Sequence, residues 1–139
     1  MTYATQQDMI DRFGSARLQQ LTDIEAPLVG GIRSSVLVAK LTDADAEIDG
    51  YLIGRYELPL ATWPAVLKVH ACSICWYRLL GSAADEPARR DYEDALAYLG
   101  KVARGDVVVV APAAAVPLTG IGTVLFDTGT KIFGRTRGC

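Results

Sequence analysis

Thiol and imidazole are scarce in this chain of 139 residues: Cys72, Cys75 and Cys139, with His70 as the single histidine. An odd cysteine count, with two of the three close together, argues against a secreted disulfide framework. A reducing compartment fits better. Cys72 and Cys75 have Cys-x-x-Cys spacing, which can hold zinc or exchange thiols. Zinc needs four ligands, and the sequence has no second Cys/His pair. On a helix, His70 lies about 160° from the direction of Cys72. Thioredoxin-type chemistry puts the reactive cysteine at a helix N-terminus, whereas these fall mid-helix among apolar neighbours. Two small core residues is the plainer reading. His70 has no Ser/Asp or Cys partner at a spacing that makes a triad.

Neither sign of charge dominates. Fourteen basic residues face sixteen acidic ones, a formal net charge of −2. That excludes nucleic-acid binding through overall positive charge, while leaving room for a local basic patch. The longest apolar run, Val107 to Leu118, is too short to span a bilayer and contains Pro112 and Pro117. The first residues have neither a basic start nor an apolar core, so they do not read as a signal peptide. Gly120-Ile121-Gly122 lacks the third glycine, the lysine and the following helix of a phosphate loop. These absences point to a soluble cytoplasmic protein, with no cofactor or metal expected.

What is present is helical patterning. Half the residues are hydrophobic, enough for one domain with a core. Thr5 can cap a helix from Gln6 to Phe13, with Asp8 three residues on and Gly14 as the stop. Ser15 can start a second short turn through Leu21. Pro27, Gly30 and Gly31 make Asp23 to Gly31 a loop. Ser34 or Ser35 then caps a long helix to about Arg55, with the apolar stripe Leu37, Leu41, Ala44, Ile48 and Leu52. Asp43, Asp45, Glu47 and Asp49 mostly fall off that stripe and read as a solvated face. An EF-hand reading fails for lack of the loop glycine and the terminal glutamate.

Pro64 suits the first turn of a further helix, Ala65 to Leu80. That helix is apolar nearly all round, the mark of a bundle centre or an interface. Trp63 and Trp76 read as core or interface rather than a base-stacking platform. Asp85 or Ser82 opens the last helix, with Pro87 in its first turn and Gly105 as its end. Arg89 with Glu93, and Arg90 with Asp94, can pair along it. From Val107 the character changes: Val107 to Val110 favours an extended strand. The rest, rich in Pro, Ala, Gly and Thr, has too few large apolar side chains for a core of its own. The expected architecture is mostly α: a small four-helix-type bundle over residues 1–106 and an extended C-terminal arm over residues 107–139. After Asp127 no acidic residue follows, while Lys131, Arg135 and Arg137 supply positive charge among Phe126, Ile132 and Phe133. This end reads either as a solvated terminus or as an arm that docks on an acidic neighbour or near nucleic acid.

Several segments, in order, resemble the small head–tail connector (neck) family of Mu-like phages and prophages. They are Tyr3-Ala4-Thr5 to Asp8-Met9-Ile10-Asp11-Arg12-Phe13-Gly14, Leu18 to Asp23, and Ala44 to Leu52 with Arg55-Tyr56 and Leu58-Pro59-Leu60. Tyr77-Arg78-Leu79, Tyr92 to Leu96 and the ending Phe133-Gly134-Arg135 to Gly138-Cys139 complete the set. The chain departs from the family pattern in the loop from Ile24 to Ser34 and at Cys139, where an aromatic is usual. The resemblance implies a helical bundle that stacks as a ring beneath the portal, similar in plan to head-completion adaptors of long-tailed phages, and not an enzyme. It implies as partners further copies of the chain, the portal and tail or neck proteins, with DNA near by in the channel and no membrane. It also implies a location in the neck of the virion, reached from the host cytoplasm during assembly. Within that setting the expected interface residues are Asp43, Asp45, Glu47 and Asp49 on the helix, and Phe126, Lys131, Ile132, Phe133, Arg135 and Arg137 on the arm. Two other classes stay open: a DNA-contacting assembly factor led by the basic end, and a small metal or redox protein using Cys72 and Cys75.

Overall fold

The computed structural model describes residues 2–109. Two short helices, α1 (Gln6–Phe13) and α2 (Ser15–Thr22), precede three long ones, α3 (Ser34–Leu52), α4 (Ala65–Leu80) and α5 (Glu86–Arg104). A 3₁₀ turn, Gly81–Ala83, links α4 to α5. The expected helical bundle is present.

Local chemistry accounts for most boundaries. Thr5 and Asp8 form a reciprocal capping box: the Asp8 amide donates to Thr5 Oγ1 at 3.2 Å, and the Thr5 amide donates to Asp8 Oδ2 at 2.8 Å. Gly14, at φ 85°, turns the chain from α1 directly into α2. Asp85 caps α5, accepting the Ala88 amide at 3.1 Å, with Pro87 in the first turn. The α3 stripe Leu37, Leu41, Ala44, Ile48 and Leu52 is buried throughout.

Four local expectations need correction. Neither Ser34 nor Ser35 caps α3; Arg33 holds that position without a side-chain cap. Its backbone is fixed from outside, because its amide donates to Thr22 Oγ1 at 3.0 Å. Helix α3 ends at Leu52 rather than near Arg55, since the Arg55 and Tyr56 amides both turn back onto the Leu52 carbonyl. Pro64 stands one residue ahead of α4, extended at ψ 153°, where its carbonyl accepts the Leu67 amide. The ion pair on α5 is Arg90 with Glu86 at 3.8 Å, not Arg90 with Asp94 or Arg89 with Glu93. An acid N-terminal to its base is the better orientation at this spacing.

Helix α4 is the centre, packed against α3 and α5, with α1 and α2 closing over α3 and α2 reaching α4. Leu67, Ala71, Cys72, Ile74 and Cys75 are fully buried on it. Each large aliphatic buried this way contributes about 1.5–3 kcal/mol. Both tryptophans pack against the core: Trp76 stacks on Phe13 with ring centroids 4.1 Å apart, and Trp63 meets Tyr3 edge-on at 5.6 Å. No helix among the described residues is long and apolar enough to cross a membrane.

Beyond α5, Val107 packs against the core and Val109 is buried. Among the described residues Val107 to Val109 find no strand to pair with and form none. The Val109 amide donates instead to the Tyr56 hydroxyl at 3.0 Å.

Candidate assembly interface

The acidic row on α3 decides how much of this molecule is free for other molecules. Only Asp43 stands exposed, as the solvated-face expectation required. Asp45 is 5% exposed, and its Oδ1 accepts the Tyr3 amide at 3.0 Å. One turn on, Asp49 Oδ1 accepts the Tyr3 hydroxyl at 2.5 Å. Positions 45 and 49 are four apart and share a face, so the two carboxylates grip both ends of one tyrosine. Glu47 points elsewhere. It pairs with the Arg78 guanidinium of α4 at 2.6 Å and accepts the Tyr92 hydroxyl of α5 at 3.0 Å. The solvated-face expectation therefore fails for Asp45, Glu47 and Asp49, because tyrosines and an arginine distant in sequence reach them.

The electrostatics follow the geometry. Burial raises the Asp45 carboxyl above its ordinary range, opposed by the Tyr3 amide and reinforced by the negative charge of Asp49. Burial and the hydrogen bond to Asp49 push the Tyr3 hydroxyl up as well, so it stays a donor. The hydrogen bond to Glu47 raises the already high value of Arg78.

The two described thiols are core residues. Cys72 and Cys75 are fully buried, and burial pushes Cys75 up to about 12 and Cys72 in the same direction. Thiolate chemistry needs the opposite shift. His70 lies 4.6 Å from the Tyr98 ring, and burial lowers its basicity. Among the described residues no three His, Cys, Asp or Glu side chains converge as a metal site would require. Phe126, Lys131, Ile132, Phe133, Arg135, Arg137 and Cys139 lie outside the described residues.

The point where the chain leaves the bundle is well defined. Helix α5 ends at Gly105, φ 88°, whose amide bonds back to the last turn. A Cβ at Gly105 would meet only the Arg55 guanidinium, the movable end of an exposed side chain, so it is the left-handed turn that calls for glycine here. Tyr56, immediately after Arg55, then holds Val109. The Arg55-Tyr56 turn thus fastens the root of the C-terminal segment. Spacing along α3 gave no sign of this role; the aromatic-basic pair just past the helix end was the available signal.

The match of the family model described as Bacteriophage Mu, Gp36 to residues 3–125 takes in both this root and the whole bundle. The chain belongs to that family. It is 40% identical over 105 residues to the Mu-like prophage FluMu protein gp36 of Haemophilus influenzae, covering 76% of this chain and 73% of that protein. It is 34% identical over 137 residues to Gene product J of Escherichia phage Mu, covering 97% of this chain and 96% of that one. This Mu Gp36-family protein is thus a phage or prophage protein. Residues 110–125, past the bundle, fall within the family match; Lys131, Arg135 and Arg137 lie beyond it.

Proposed function

We propose that this protein is a structural head–tail connector, a neck subunit that forms a ring between portal and tail and helps complete the DNA-filled head. It is not an enzyme in this reading. The observation that carries it is the fastened root at Tyr56 and Val109, where a closed bundle hands over to a C-terminal segment that the family match continues to residue 125. The bundle is the scaffold. Most α3 carboxylates are engaged in holding it together, which leaves Asp43 as the acidic group on that row free to meet the basic residues of a neighbour's arm. Membership of a Mu phage family supports a role in the particle. Many copies in a closed ring make weak pairwise contacts strong together.

Quantitative mass spectrometry of DNA-filled particles tests this, scaled to the portal subunit. A fixed count close to that of the portal ring is expected. Absence from particles rejects the reading and favours a transient assembly factor. The DNA-contacting alternative draws on Lys131, Arg135 and Arg137. It requires a salt-sensitive DNA shift that disappears when all three become Ala.

A further inference from the structure

The loop between α2 and α3 is held rigidly while displaying what a soluble loop normally hides. Ile24, Leu28 and Val29 are 72%, 69% and 67% exposed. Between them and the bundle lies a hydrogen-bonded knot. Asp23 accepts the Val29 amide at 3.0 Å and the Gly30 amide at 2.9 Å. The Arg33 guanidinium pairs with Asp23 at 3.1 Å and donates to the Glu25 and Pro27 carbonyls at 2.7 and 2.9 Å. Thr22 accepts the Arg33 amide, and its own hydroxyl donates to the Leu18 carbonyl at 2.8 Å. Ile32, at the end of the same loop, packs on the core, as do Leu58 and Leu60 of the next loop. The three outward side chains are thus a feature of this loop's tip.

Such an arrangement has a physical use. The ordering cost of the loop is already met within the chain, so a partner that covers it need not supply that free energy. Clustered exposed aliphatics mark contact surfaces. The tip carries a single charge, Glu25, so the complement must be apolar and nearly uncharged. The chain contains one long segment of that description: residues 107–126 hold no Asp, Glu, Lys or Arg and include Val116, Leu118, Ile121 and Leu125.

Position suits a contact between copies. The loop lies at the N-terminal end of α3, and the root of the segment at Tyr56 lies just past its C-terminal end. A helix of this length separates them by about 27 Å. A head-to-tail contact uses two different surfaces on each copy, and ends set apart in this way provide them. Residues 110–126 reach at most roughly 55 Å when extended, which is ample for an adjacent copy.

We propose that the Ile24, Leu28 and Val29 loop of one copy receives residues 110–126 of a neighbouring copy. This rests on the connector reading only in needing copies side by side. The test is photo-crosslinking in the full chain, with benzoylphenylalanine in place of Leu28 and isotopically light and heavy copies mixed, in solution and in assembled particles. Light-to-heavy products joining position 28 to peptides of 110–126 support the proposal. Products confined to one copy, products with another protein, or no product in either sample overturn it. Because both side chains are exposed, Leu28→Glu and Val29→Glu should keep the helical signal and the melting temperature. They should weaken self-association by at least about tenfold, and unchanged association overturns the proposal. Failure of this contact, with the chain still present in particles at a portal-like count, leaves the connector reading intact. Light-to-heavy products in solution from a chain absent from particles keep the contact and reject the connector.

Discussion

Helices α3 and α5 have the same length and both are rich in charge, yet their charges do opposite things. On α3, Asp45, Glu47 and Asp49 are acceptors for Tyr3, Arg78 and Tyr92 and join distant parts of the chain. On α5 the charged side chains face outward, and the pair formed by Arg90 and Glu86 is exposed on both sides. The difference comes from what surrounds each helix. Four other helices and the N-terminal residues pack around α3, whereas α5 leans mainly on α4 and α3 and leaves one side to solvent. A carboxylate's role is set by what arrives opposite it, not by its own spacing.

Removing the residue gripped by two of the α3 acids should give the largest effect. Tyr3→Ala deletes a buried ring packed on Trp63 and removes the hydroxyl donor to Asp49, while the backbone amide still serves Asp45. A loss of about 3–5 kcal/mol is expected in urea unfolding. A loss under about 1 kcal/mol would show that the N-terminal residues add little to the bundle.

Asp45 sharpens the comparison because its charge and its acceptor oxygen can be separated. Asp45→Ala strands the buried Tyr3 amide and should cost about 1–3 kcal/mol. Asp45→Asn keeps an acceptor and removes the charge. Since the folded state raises the Asp45 carboxyl, this group favours folding most below its ordinary value, near 4. That contribution is lost as pH rises through the raised value. The Asn variant escapes the loss, so its stability relative to the parent should climb between about pH 4 and 7. A difference that stays flat or declines over that range contradicts the assignment.

The joint between Glu47 and Arg78 should be smaller, because the arginine is partly solvated. A double-mutant cycle with Glu47→Gln and Arg78→Met is expected to return a coupling of about 1 kcal/mol. Zero coupling would place this pair with the solvated charges of α5. At the bottom of the scale, Arg90→Ala on α5 should change stability by no more than about 0.5 kcal/mol. A larger loss in thermal unfolding would mean that the two helices are less different than their surroundings suggest.

Much of the fold was legible because the signals were local. The capping pair Thr5 and Asp8, the α3 stripe and Gly105 each act within a few residues. Two of the errors fall where a distant group intervened. Thr22 fixes the start of α3 eleven residues away and displaces the expected serine cap. Tyr56 captures the Val109 amide across 53 residues, where β-propensity alone suggested a strand. Of the candidate interface, Asp43 was read correctly as solvated, while its three acidic neighbours were not. The partners that changed their role, Tyr3, Arg78 and Tyr92, all sit in segments that carried the family resemblance, but no periodicity pairs them with α3.

Local patterning suffices for most of the helices, their polar and apolar sides, the buried character of α4, and an uncharged segment ahead of a basic end. These follow from repeats of three and four residues and from caps, which need no knowledge of the rest of the chain. Only the tertiary structure decided that three acids of α3 are joints and that the α2–α3 loop is pinned with its aliphatics outward. It alone decided, too, that the C-terminal segment is rooted on Tyr56. Those outcomes depend on contacts spanning up to 53 residues, and a hydrogen bond forms only when packing has brought donor and acceptor to within about 3 Å.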